Sequence, residues 1–257
     1  MRGFISGLLA SVCVSTMALA QTPSAPAASP QGDTYASIAK LPDWSGAFEP
    51  ILGKVPGRPA NGKPMFTPAW KPKIAKIDAI HASGGDVPSR VYHCIPSGVP
   101  GGMVAPTRLY ETVFAPGLVL WLVQNNDNRR FYTDGRTHPA DPGSSYFGHS
   151  IGHWESDTLV VDTVGLDPGN EFLYGIPGGH NMHLVERFHL TNPTTLAVDS
   201  VLEAPQALTE PFRYTHLFKR GTWKIGEEVC TQNNRDVAST GFQQFDSTPP
   251  PPGLLHK

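Results

Sequence analysis

Three groups of residues have the types and spacing to do chemistry. The first is Gly148-His-Ser-Ile-Gly-His-Trp-Glu155, whose Gly148-x-Ser150-x-Gly152 core spells the nucleophile elbow of serine hydrolases. That motif needs a strand before it and a helix after it. Here Trp-Glu-Ser-Asp-Thr leads into another strand, so a Ser150 nucleophile is the third choice among the readings. The second group is imidazole pairs. His149-x-x-x-His153 would share a face on a helix, but on a strand four residues at about 3.3 Å each separate the two by roughly 13 Å. His180-x-x-His183, in a Gly-rich loop entering a strand, is the better local chelate. His180, His183 and His149 are therefore the candidates for a divalent metal, which is an option rather than a requirement. The third group is acid–base. In the run 182–191, Glu186 alternates with Met182, Leu184, Phe188 and Leu190, and burial among apolar neighbours would raise a carboxyl pKa toward a useful value. His149, Ile151, His153 and Glu155 alternate in the same way. Glu186, His149 and His183 are the expected acid–base set, with Asp134, His153 and Arg187 supporting it.

Each of these residues also has a structural reading. Glu186 would pair with an arginine such as Arg130. Asp134-Gly135 is a turn pair, Asp157-Thr158 is hairpin chemistry, and His216 and Trp154 suit a core.

The elements that must position these groups are mostly strands. Thr107–Phe114, Leu118–Gln124, Arg129–Thr133, Phe147–Glu155, Thr158–Val164, Met182–Thr191, Thr195–Glu203, Phe212–Lys219 and Thr222–Cys230 are short and divided by turn residues. They predict an all-β fold, either a single antiparallel, lipocalin-like barrel or a sandwich. Leu118–Val123 is apolar throughout, as in a strand covered on both faces. One or two short N-terminal helices precede the strands. Asp33 is the expected cap of Tyr35–Lys40, and Lys71–Ala82 carries Pro72 in its first turn and ends at Gly84-Gly85.

The 257 residues are 39% hydrophobic and 16% charged, which excludes a disordered chain. Gly and Pro, 26 each, exclude a long helical bundle. Twenty basic against 22 acidic residues give no excess that would suggest nucleic acid or an anionic membrane. No Gly-rich nucleotide loop is visible, so no nucleotide cofactor is expected. Residues 1–20 read as a signal peptide: Arg2, an apolar Phe4–Met17 run, then Ala18-Leu19-Ala20. This predicts a periplasmic or secreted protein without membrane insertion. A Pro/Ala/Ser leader follows over 21–32, then one β-rich domain over 33–246 and a Pro-rich tail over 247–257. Export leaves Cys94 and Cys230, an even pair expected to form a disulfide.

Several of these segments together resemble a family of secreted, proteobacterial proteins without a settled activity. The matching parts are Cys94-Ile-Pro-Ser-Gly, Arg130-Phe-Tyr-Thr-Asp-Gly-Arg-Thr-His-Pro139, Gly148-His-Ser-Ile-Gly-His-Trp-Glu-Ser-Asp-Thr-Leu-Val-Val-Asp-Thr163, His183-Leu-Val-Glu-Arg-Phe188 and Cys230-Thr-Gln-Asn-Asn-Arg235. The resemblance implies export and a single domain, and it implies no mechanism. The family pattern more often has Gly at the position of Ser156. Gly152–Trp154 and Gly221–Trp223 are Gly-x-Trp triplets of the lipocalin kind.

The leading functional reading is an exported enzyme that acts on a small organic molecule by His and carboxylate chemistry in a β-barrel pocket, as a lyase, isomerase or hydrolase. The rival is a non-catalytic binding module, a lipocalin-like carrier or an envelope interaction domain.

Overall fold

Inward and outward side chains alternate along the strands of a closed barrel. In this computed structural model the described residues are 32–52, 62–85, 94–96, 98–104, 108–124, 128–173 and 175–226. In chain order they form α1 (Tyr35–Ile38), β1 (Gly46–Pro50), α2 (Lys71–Ala82), α3 (Gly101–Val104), β2 (Tyr110–Ala115), β3 (Leu118–Val123) and β4 (Arg129–Tyr132). Then come β5 (His149–Glu155), β6 (Thr158–Val164), β7 (Glu171–Leu173), β8 (Ile176–Pro177), β9 (His183–Asn192), β10 (Thr195–Glu203) and β11 (Phe212–Arg220). Nine strands close in the order β1-β11-β10-β9-β6-β5-β4-β3-β2, while β7 and β8 pair separately. The fold is thus an all-β barrel, not a sandwich.

The parity of this ring has a consequence for the site. If every neighbouring pair were antiparallel, strand direction would alternate, and alternation closes only for an even number. Nine strands therefore need a parallel pair, and it is β4–β5, with Phe131 opposite Ser150 and Tyr132 opposite Ile151. A parallel pair cannot be joined by a tight hairpin, so the chain must travel back along the barrel before β5 begins. Residues 133–148 make this crossover. Near its end Ser145 forms a bridge with Leu166, and Gly148 turns into β5 with φ +65°.

Two apolar clusters fill the inside. One gathers Trp44, Phe48, Tyr110, Trp121, Phe131, Leu159, Phe188 and Phe218, with the Trp44 ring stacked on Phe188 at 5.6 Å and edge-on to Phe114 at 4.9 Å. Trp154 packs against this cluster. The other gathers Leu166, Phe172, Met182, Leu184, Leu202 and Phe212, and Ile74 and Ile77 of α2 pack against it. Along β9 the inward residues pass from Leu184 through Glu186 to Phe188, and along β10 from Leu202 through Ser200 to Val198. A polar layer thus lies between the two clusters.

Several elements differ from the sequence expectation. Thr34, not Asp33, caps α1, through a reciprocal box with Ser37. The outer residues of β3, Leu118, Leu120 and Leu122, are half-buried rather than covered. Residues 222–226 form no strand, and the rest of the expected Thr222–Cys230 strand lies outside the described residues, as do the signal peptide, nearly all of the leader, the tail and Cys230. β1 was not foreseen, because five residues ending in Pro50 give too short a pattern. It pairs with both β2 and β11 and so closes the ring.

Candidate functional site

The polar layer inside the barrel is built on an ion pair. Arg129 of β4 donates from Nη1 to Glu186 Oε1 at 3.0 Å and from Nη2 to Oε2, and both side chains are almost wholly buried. Arg129 Nη2 also reaches Thr163 Oγ1 at 3.5 Å, and Thr163 shares a 2.8 Å hydrogen bond with Ser150. Burial, then the nearby Glu186 carboxylate, push the Tyr214 phenol well up, so it remains protonated. The expected partner Arg130 points outward instead, because the residue that shares the inner face with Phe131 is Arg129.

A second arrangement lies on the outer wall, where the crossover passes β5, β6 and β9. His138, carried by the crossover, places Nδ1 2.8 Å from His149 Nδ1 of β5 and Nε2 3.1 Å from Asp162 Oδ1 of β6. The same Asp162 oxygen lies 3.0 Å from His183 Nε2 of β9, and His183 Nδ1 lies 3.2 Å from Glu203 Oε2 of β10. The register explains this set. His149 faces Val164 while Asp162 faces Ile151, and His183 is directly opposite Glu203, so all four project outward from neighbouring strands. On the far side of His149, Tyr132 stacks at 5.4 Å, the Arg136 guanidinium lies 3.9 Å over Tyr132, and Asp134 holds Arg136 through both carboxylate oxygens.

The hydrogen bonds constrain the protons. Carboxylates only accept, so His183, facing one from each ring nitrogen, needs two N–H groups and is an imidazolium. Its pKa is raised: burial opposes the charge, but the hydrogen bonds and charges of Asp162 and Glu203 together outweigh burial. His149 is pushed the other way, first by burial and then because a charge on it would stand beside the His138 and Arg136 groups, so the pair does not carry two charges at once. His138 must carry its proton on Nε2 to bond Asp162. In the neutral pair His149 Nδ1–H then donates to the bare His138 Nδ1, which leaves the lone pair of His149 on Nε2. The result is a chain from Glu203 to a basic nitrogen at the barrel surface.

Two of the expected acid–base residues, His149 and His183, thus meet through His138 and Asp162. Asp134 joins them through Arg136 and Tyr132. Glu186 does not, since it faces the lumen while His183 faces outward from the same strand. His153 and Arg187 are exposed and both bind Glu155, away from the chain. Arg187 also holds the Glu155 carboxyl below its usual range. His180 is exposed, with its backbone N–H donating to Gln206 Oε1 at 3.0 Å. Among the described residues no group of three or more ligating side chains is placed to hold a metal ion. Ser150 lies within a strand, buried against Thr163, without the turn that lifts an elbow serine into reach. Sequence reasoning missed His138, Asp162 and Glu203. Asp162 had a signal, as the single charge in the outward-facing positions Thr158, Val160, Asp162 and Val164. No protein-family model, curated protein or solved structure matches the chain.

Proposed function

We propose that the protein is an exported enzyme that moves protons on a small organic molecule, with His149 Nε2 as the base at the outer wall of the barrel. The observation that carries this reading is the unbroken run of contacts His149–His138–Asp162–His183–Glu203. Such a run orients the base, fixes its tautomer and offers a path along which charge can be compensated, as paired histidine and carboxylate groups do in general acid–base catalysis. Lyase, isomerase or hydrolase chemistry without a nucleotide cofactor fits it. Compared with a pocket inside the barrel, the outer wall has the advantage of access: His183 and Asp162 are about a third exposed, at 34% and 39%.

Export through the signal peptide 1–20 and a Cys94–Cys230 disulfide belong to the same proposal. The net charge of −2 fits a small-molecule rather than a nucleic-acid partner. Among the described residues no helix is long and apolar enough to cross a membrane. The carrier reading needs a hollow lumen, and the rings of Trp44, Trp121 and Phe188 at the barrel centre argue against it. A Ser150 hydrolase needs an accessible nucleophile, so a fluorophosphonate probe is expected to leave the folded protein unlabelled.

The test is exchange of carbon-bound hydrogen in D₂O, followed by proton NMR over a panel of small carbonyl and hydroxy acids. Exchange on a substrate of the enzyme should fall roughly 10²–10⁴-fold in His149→Gln. Equal exchange by the variant and the native protein would remove His149 as the base.

A further inference from the structure

His138 and His149 point the same kind of nitrogen, Nδ1, at each other across 2.8 Å. We propose that this pair is a binding site for a divalent transition cation of tetragonal preference, Cu²⁺ first, and that the cation regulates the outer-wall site by fixing the tautomer of His149.

The geometry carries the ligand class. Two imidazole nitrogens at about 2.0–2.1 Å from one ion stand roughly 2.9 Å apart at a right angle and about 3.3 Å apart at a tetrahedral one. The 2.8 Å set by the hydrogen bond between the two rings is also close to the right-angle span, so an ion replacing the shared proton would need little movement of the rings. That angle suits Cu²⁺ or Ni²⁺ at nitrogen and oxygen sites more than Zn²⁺. His138 already has the outer partner of a metal-binding histidine, because its other nitrogen, Nε2, donates to Asp162. Water would complete the coordination, as both rings lie at the surface side of the wall. Three carboxylates, Asp162, Glu203 and Asp134, outnumber the two cations His183 and Arg136 around the pair, which partly offsets the repulsion that Arg136 exerts on a charge at His149.

Binding requires a bare Nδ1 on both rings. His138 has one already. His149 must transfer its Nδ1 proton to Nε2 through solvent, so the ring stays neutral and no net proton is released. The Nε2 lone pair proposed as the base is then lost. The regulatory consequence rests on the acid–base reading, whereas the metal site does not.

Titration of the mature, metal-free protein with CuCl₂, read by calorimetry and by electron paramagnetic resonance, tests the site. One Cu²⁺ per chain is expected, with splitting from two imidazole nitrogens. Affinity should fall about tenfold or more in His138→Gln and in His149→Gln, and remain unchanged in His153→Ala. Absence of binding below millimolar Cu²⁺, splitting from fewer than two imidazoles in the native protein, or native affinity in either glutamine variant would overturn the proposal. If Cu²⁺ binds as described but leaves hydrogen exchange untouched, the metal site stands and the role of His149 as base falls.

Discussion

Asp162 holds His138 and His183 through the same oxygen, Oδ1, at 3.1 and 3.0 Å. This oxygen ties the crossover to β9 and also settles which nitrogens carry protons. Long-range ¹H–¹⁵N spectra of the histidine rings at pH 7 are expected to show both nitrogens of His183 protonated. His149 should be neutral with its proton on Nδ1. In Asp162→Asn, His138 should lose its fixed tautomer and the pKa of His183 should fall, because a carboxylate that favours the imidazolium is gone. Identical ring spectra in the native protein and the variant would show that Asp162 does not organise the set.

Stability should depend on pH through the same group. The pKa of His183 is raised in the folded state, so its contribution is complete below the ordinary value of 6.5 and disappears as pH rises through the higher folded value. The native protein should therefore exceed His183→Gln in urea midpoint most at pH 6, and the gap should narrow toward pH 8 and above. His149 acts in the opposite sense. Its depressed pKa means that protonation below 6.5 works against the fold, so His149→Gln should gain on the native protein as pH falls. A gap independent of pH in both variants would rule out these linkages.

How much of this was legible follows from parity and range. The two-residue period of β9 places Glu186 among inward apolar residues, and the structure agrees. The same period puts His183, three positions earlier, on the opposite face, so grouping the two contradicted the alternation that identified Glu186. The outward set of β5 was legible as a face, but not as the outer one, because Trp154 and the small Ser150 and Gly152 do not make the inner face obviously apolar. His138 could not be placed at all. Its position depends on β4 and β5 being parallel, whereas the expected barrel is antiparallel throughout and has its ninth strand at Thr222–Cys230 instead of at β1. Lys71–Ala82, by contrast, was readable to the residue, because Pro72 and Gly84-Gly85 mark its ends locally.

Gly148 positions His149, so its substitution should affect both stability and the site. With φ +65°, an alanine there meets strain of roughly 1–2 kcal/mol before any contact is counted. Its Cβ would also stand 2.5 Å from Val164 O and 2.9 Å from Leu166 Cδ2 and Thr163 Cγ2. Gly148→Ala is expected to cost at least about 2 kcal/mol in urea unfolding. It should also weaken the His149–His138 contact, visible as a change in the His149 ring shifts. A stable Gly148→Ala with unaltered shifts would mean that the crossover, rather than the turn, sets the ring position.

The turn between β5 and β6 provides a stabilising test of the same principle. Ser156 has φ +56°, a region that favours glycine and explains in physical terms why Gly suits this position. Ser156→Gly is expected to raise stability by up to about 1 kcal/mol. Exchange activity should not change, since the side chain is exposed. A fall in the urea midpoint would show that the serine makes a compensating interaction.

The Arg129–Glu186 pair separates a structural role from a catalytic one. Glu186→Leu leaves a buried guanidinium without its counter-charge, and Arg129→Met leaves a buried carboxylate; each should cost about 3–5 kcal/mol. Replacing both with apolar residues of similar size, Arg129→Met with Glu186→Leu, removes two desolvated charges at once and should cost much less than the sum of the single losses. Urea unfolding of the four proteins gives the coupling energy. If the pair serves only the barrel, the double variant should refold and retain the His138–His149–Asp162 ring signals and any exchange activity, because Glu186 faces the lumen and those residues face outward. Loss of exchange in a double variant that keeps its stability and ring signals would instead place Glu186 in the chemistry, and the site would then have to reach through the barrel wall.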